Sequence, residues 1–131
     1  SVRTAVDAEF SGAGRIHCIE PLEYTDFLHL LSRAWLVASD SGGVQEEAPS
    51  LGKPLLVLRD TTERPEVLDC GVGRLVGHSG ERLEEMLETA LVDESWFDTV
   101  RTTKNPFGKG DAGEQIASAI ERFFTTKTGD A

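Results

Sequence analysis

Trp35-Leu36-Val37-Ala38-Ser39-Asp40-Ser41-Gly42-Gly43-Val44-Gln45-Glu46-Glu47-Ala48-Pro49 reads as a strand, a turn and the opening of a helix. The apolar run at 35–38, bounded by the polar Ser39 and Asp40, has the pattern of a parallel strand buried on both faces. Ser41 is placed to cap the helix that follows. Gly42 and Gly43 carry no side chains, so a ligand can approach the backbone where first-turn N–H groups are unpaired and the helix dipole favours an anion. Glu47 lies about one turn further on. A carboxylate there repels phosphate but accepts hydrogen bonds from sugar hydroxyls, so the stretch suggests a nucleotide with its ribose. A glycine pair of this kind also serves as a tight strand-to-helix turn with no ligand, and at this point both readings stand.

Outward from this stretch the chain alternates between short apolar runs and helical patterns. Residues 15–19 read as extended, 22–34 as helical, 53–58 as an apolar strand, 65–70 as a short helix and 73–76 as another strand. Residues 80–92 form an amphipathic pattern with Leu83, Met86, Leu87, Ala90 and Leu91 on one face. Strands separated by helices imply parallel pairing through crossovers, hence a doubly wound, Rossmann-like α/β domain. Ligands of such sheets sit outside the carboxyl ends of the strands, which directs attention to residues 20–27, 40–47 and 59–66. After the turn-rich Asn105-Pro106-Phe107-Gly108-Lys109-Gly110, Asp111 and Glu114 resemble a capping box. A last helix with the apolar stripe Ile116, Ile120, Phe123 and Phe124 follows, and residues 125–131 read as a frayed terminus.

The 131 residues and 39% hydrophobic content suit one domain with its own core. No run approaches the roughly 20 apolar residues of a membrane span, and the first residues lack the apolar centre of a signal peptide, so a cytoplasmic protein without membrane contact is expected. A formal net charge of −10 disfavours nucleic acid as a partner, since polynucleotide affinity comes largely from Lys and Arg neutralising phosphates. A small anionic ligand would have to be held by backbone dipoles and one or two local arginines. Cys18 and Cys70 lack metal-ligand spacing and sit beside apolar residues, which predicts reduced, buried thiols. His17, His29 and His78 are too scattered for a metal site or triad. Ser41 is no nucleophile elbow, because its neighbours do not form Gly-x-Ser-x-Gly. Glu46 and Glu47 point about 100° apart on a helix, so only one faces a ligand; Glu47 is assigned to it and Glu46 to solvent or structure.

Residues 40–54, ending Ala48-Pro49-Ser50-Leu51-Gly52-Lys53-Pro54, together with Leu58-Arg59-Asp60-Thr61-Thr62-Glu63-Arg64-Pro65-Glu66, resemble the non-hydrolysing UDP-N-acetylglucosamine 2-epimerases. Pro21-Leu22-Glu23-Tyr24 with Phe27, and Asn105-Pro106-Phe107-Gly108, are similar to that family in order and spacing. The resemblance covers almost the whole chain. It implies two Rossmann-like domains of the glycosyltransferase-B type with the active site between them. In that frame this chain is expected to be the C-terminal, UDP-binding domain over residues 1–131, preceded by the end of a helix, with the N-terminal domain absent. By position, Phe27 and the Leu22 segment are expected to line the uracil pocket, and Ser41, Gly42 and Gly43 to bind the diphosphate. Glu47 is expected to hold the ribose hydroxyls, and Arg64 to contact the ligand.

The reaction so implied inverts the sugar at C2 by eliminating UDP and re-adding it, with UDP-N-acetylglucosamine or UDP as the partner. No cofactor or metal is implied, and the full-length parent is expected to be a homodimer. The family's catalytic acids, basic residues and a histidine are expected upstream of Ser1, so the chain alone is expected to bind UDP weakly without turnover. The last helix is expected to cross back to the first domain, leaving Phe123 or Phe124 exposed. Other classes remain open: the donor-binding domain of a glycosyltransferase, or a non-catalytic nucleotide-sugar binding module. Residues 59–66 favour the epimerase.

Overall fold

Leu55, Leu56 and Val57 have no exposed surface, and this sets the architecture: a strand buried on both faces must be central, with neighbours on either edge. In the computed structural model, which describes residues 2–10 and 14–128, β2 (Leu55–Val57) pairs in parallel with β1 (Val37–Ser39) and β3 (Gly73–Leu75). The register sets Leu56 opposite Ala38 on one side and Arg74 on the other. The helices are α1 (Val2–Phe10), α2 (Tyr24–Arg33), α3 (Gly42–Ser50), α4 (Pro65–Asp69), α5 (Gly80–Val92), α6 (Ser95–Thr102) and α7 (Ala112–Thr128). The protein is thus a small α/β domain in which a three-stranded parallel sheet is flanked by helices. The strand order is sequential, so among the described residues the reversal that defines a doubly wound sheet is not present.

The core joins the strands to Val44 and Ala48 of α3, Val67 of α4, Ala90 of α5, and Trp96, Phe97 and Val100 of α6. Helix α4 approaches β3 closely: a Cβ on Gly73 would stand 3.1 Å from both Val67 methyls. Helix α6, absent from the expected elements, closes the end at which the strands enter. The Trp96 indole N–H donates to Gly71 O at 2.9 Å, the Arg74 guanidinium lies 4.1 Å over the same ring, and Phe97 stacks on Trp35 at 5.1 Å. With that end covered, the opposite end, where β1 and β2 lead into α3 and the 58–66 loop, is left for a site.

Residues 15–19 are not a strand. They form part of a turn followed by irregular chain, exposed throughout, because no neighbouring strand completes the ladder that an extended segment needs. Cys18, in this segment, is exposed, and Cys70, at the C-cap of α4, is half-buried, where buried thiols were expected. Trp35 and Leu36 precede β1, and α2 starts at Tyr24, two positions after Leu22. The helical backbone of α7 runs to Thr128, through part of the stretch expected to fray; residues 129–131 of that stretch lie outside the described ones.

Ile116, Ile120, Phe123 and Phe124 are exposed along α7, with Phe123 at 54% and Phe124 at 62%. An apolar stripe left in water contributes little to holding its helix. Hydrogen exchange should therefore find α7 amides much less protected than those of β2; equal protection would contradict this packing.

Candidate functional site

The exit of β1 sets the geometry. Ser39 Oγ accepts the Ser41 N–H at 3.1 Å, turning the chain into α3. Ser41 occupies the N-cap position with extended φ and ψ of −73° and 129°, as expected, but its hydroxyl makes no capping hydrogen bond. The cap is therefore positional only. The N–H groups of Gly42, Gly43 and Val44 lie in the first turn, where a helix offers no carbonyl to receive them, and they mark the positive end of its dipole. A Cβ on Gly43 would meet nothing closer than Ser41 Oγ at 3.8 Å, so the turn is uncrowded on the Gly43 side, while on the Gly42 side the Glu63 carboxylate stands close by.

A buried polar side chain ties this turn to the loop after β2. Gln45 has no exposed surface; its Nε2 donates to Ser41 O at 3.3 Å, and its Oε1 accepts the Thr62 hydroxyl. Thr62 Oγ1 in turn accepts the Arg64 N–H at 3.0 Å. Both ends of the amide are satisfied, which is what makes its burial tolerable. Through this chain of bonds α3 fixes where Arg64 leaves the loop. The Arg64 guanidinium pairs with Glu46, whose hydrogen bond is the main cause raising the arginine's pKa. Glu46 is thus the structural member of the acidic pair.

Glu47 points elsewhere. Its carboxylate lies beside the Tyr24 hydroxyl, and the interaction raises the phenol's pKa by favouring its protonated form. The two line a groove of about 350 Å³ with Leu51, Asn105 and Phe107, at whose edge Glu46 also stands. Asn105 holds that groove together, since its Nδ2 donates to Ser50 Oγ at 2.8 Å and its Oδ1 accepts the Phe107 N–H at 3.1 Å.

The structure therefore gathers Ser41, Gly42, Gly43 and Glu47 on one helix with Arg64 across from it. The groove beside Glu47 is lined by neither Phe27 nor Leu22, nor by Ser41, Gly42, Gly43 or Arg64. Phe27 lines a separate apolar groove of about 320 Å³ with Leu30, Leu31 and Leu36, and Leu22 is exposed ahead of α2. A further groove of about 450 Å³ opens at the strand exits, lined by Asp40, Leu58, Arg59, Asp60, Thr61 and His78. Sequence reasoning missed Gln45, Thr62 and Glu63. The only signal for Gln45 was a polar residue one position after Val44 on the helix face that turns inward, and its partner lies 17 residues away. Among the described residues there is no cluster of His, Cys, Asp and Glu that could hold a metal ion, and no helix long and apolar enough to cross a membrane.

Comparison with known proteins gives this geometry a family. The family model for UDP-N-acetylglucosamine 2-epimerase matches residues 1–121. A probable UDP-N-acetylglucosamine 2-epimerase of Ralstonia nicotianae is 47% identical over 124 residues, covering 95% of this chain and 33% of that protein. Among solved structures, the S. aureus MnaA–UDP co-structure superposes with a TM-score of 0.87 at 35% identity, over 95% of this chain and 34% of that one. The Neisseria meningitidis UDP-GlcNAc 2-epimerase bound to UDP-GlcNAc gives 0.82 at 40% identity, over 92% and 33%. The chain thus spans about a third of the length of the relatives it matches. The expectation of a C-terminal fragment is corrected by the same match, which takes the N-terminal 121 residues of this chain as the family core. With that correction, the chain belongs to the UDP-N-acetylglucosamine 2-epimerase family.

Proposed function

We propose that residues 1–131 are a UDP-binding Rossmann-like domain, of the glycosyltransferase-B type, from an enzyme that interconverts UDP-N-acetylglucosamine and UDP-N-acetylmannosamine. The observation that carries this reading is the first turn of α3, uncrowded at Gly43, with Arg64 held across from the helix and Glu47 one turn on. Gly42, Gly43 and Ser41 would take the diphosphate, Arg64 would add positive charge, and Glu47, oriented by Tyr24, would accept the ribose hydroxyls. The similarity to structures containing UDP and UDP-GlcNAc supports that assignment. Leu22 and Phe27 would serve the uracil, which requires the chain before α2 to fold toward Tyr24 and the Phe27 ring to leave the apolar groove it lines here.

In the proposed reaction UDP leaves from C1 as the proton on C2 is removed, and then adds back after protonation of the other face. Backbone donors at the first turn of α3 would stabilise the charge that builds on the leaving diphosphate, as an oxyanion hole does. Removal of the C2 proton needs a positioned base, which we assign to the two thirds of the relatives' length that this chain does not span. The exposed stripe of α7 would pack there as well. We extend the proposal to a cytoplasmic, homodimeric full-length protein with no cofactor in the reaction.

Calorimetric titration of the folded 131-residue chain should show weak UDP binding, and incubation with UDP-GlcNAc should show no epimer. A folded sample that fails to bind UDP would overturn the binding role, and turnover would overturn the division of labour.

A further inference from the structure

The loop after β2 also brings a carboxylate to the mouth of the cradle. Glu63 Oε1 lies 3.2 Å from where a Cβ on Gly42 would stand, and Glu63 Oε2 is held by Arg59 Nη1 at 2.7 Å. The Arg59 hydrogen bond is the largest cause keeping the Glu63 carboxyl below its ordinary range, so it is ionised at neutral pH. Its side chain is 50% exposed, so rotation about its own torsions is enough to move the carboxylate away. Arg59 itself lines the groove at the strand exits, beside Asp40.

Resting on the UDP reading above, we propose that Glu63 is a charge gate on the diphosphate site: tethered by Arg59, it opposes phosphate at the first turn of α3 and swings away from Gly42 when the diphosphate seats. Two anions within a few ångströms at a protein surface repel appreciably even when water screens them. The diphosphate must therefore displace Glu63, and in doing so it releases Arg59, which becomes available as a second cation. The gate discriminates by charge. Free UDP carries more negative charge on its terminal phosphate than the esterified diphosphate of a UDP-sugar, so Glu63 weakens the hold on the former more than on the latter. Glu63 is thus a specificity residue for the leaving group and not a group that touches the reacting carbon.

The test is calorimetric titration of the wild-type chain and Glu63→Gln with UDP, UMP and uridine. The amide keeps the shape and removes the charge. Glu63→Gln is expected to bind UDP about three- to tenfold more tightly, UMP with a smaller gain and uridine unchanged. A wild-type chain that binds UDP, with a variant that binds it equally or more weakly, would overturn the gate while leaving the UDP site standing. An equal gain for uridine would also overturn it, since the change would not be one of phosphate charge. Absence of UDP binding by both chains would overturn the site and the gate with it.

Discussion

Gly43→Ala should weaken UDP binding at least about tenfold, equivalent to about 1.4 kcal/mol, while leaving the chain folded. The prediction separates ligand approach from folding. In the folded chain an added methyl meets only Ser41 Oγ, at the ordinary contact distance of 3.8 Å, and alanine is favoured over glycine within a helix by up to about 1 kcal/mol. Stability should therefore hold or rise. The bound state differs, because the methyl occupies space through which a phosphate oxygen must approach the first-turn N–H groups. Hydrogen bonds from such groups to an anion contribute about 1.5–3 kcal/mol each. Paired thermal melts and UDP titrations check both halves. A variant that binds UDP as wild type does would place the phosphates elsewhere, whereas one that unfolds would mean the glycine serves the turn alone.

Gln45→Ala should be the most damaging single change near the site. It removes a side chain with no exposed surface, along with the bonds to Ser41 O and Thr62. The cavity and the lost hydrogen bonds together should cost about 2–4 kcal/mol of stability. Thr62 would keep its bond to the Arg64 N–H but lose its anchor on α3, so the loop carrying Arg64 should loosen. UDP affinity should fall even at temperatures where the variant is fully folded. Gln45→Glu, close in shape, places a carboxylate in the same buried position and should also destabilise. Chemical denaturation with UDP titration at low temperature measures the two effects. A folded Gln45→Ala chain with wild-type affinity would show that the buried amide serves packing only.

The parts of the fold that were legible in the sequence are those whose signal is local. The apolar Leu55-Leu56-Val57 could only be a strand buried on both faces. Helix α5 has the bounds its periodicity predicted, helped by Ser79 Oγ accepting the Arg82 N–H at 3.2 Å. The start of α3 at Gly42 followed from the polar turn and the glycines. Residues 15–19 read as extended, yet a strand exists only where another offers a ladder. Helix α6 was passed over because eight residues hold too little periodicity to stand out. One position ahead of its N-cap Glu94, Asp93 Oδ1 accepts the Ser95 N–H at 2.9 Å, an Asp-x-Ser spacing present in the sequence.

The site divided in the same way. Ser41, Gly42, Gly43 and Glu47 sit within two turns, so helix geometry alone fixed their relation. Arg64 was placed near them only by resemblance, and what holds it is the Gln45 to Thr62 bond between two segments remote in sequence. The pairing of Glu46 with Arg64 and of Glu47 with Tyr24 likewise depends on tertiary neighbours that a helical wheel does not contain. Phe27 shows the limit of carrying a role over by position. Its place on α2 matched, but its ring lines a different groove in this structure.

The central claim is that the first turn of α3 receives the diphosphate of UDP, and backbone amide chemical shifts during a UDP titration test it most directly. The amides of Gly42, Gly43 and Val44 should show the largest perturbations with UDP and little change with uridine. Perturbations centred instead on Arg74, Ser79 and Arg82, which line the groove beside α5, would contradict the account.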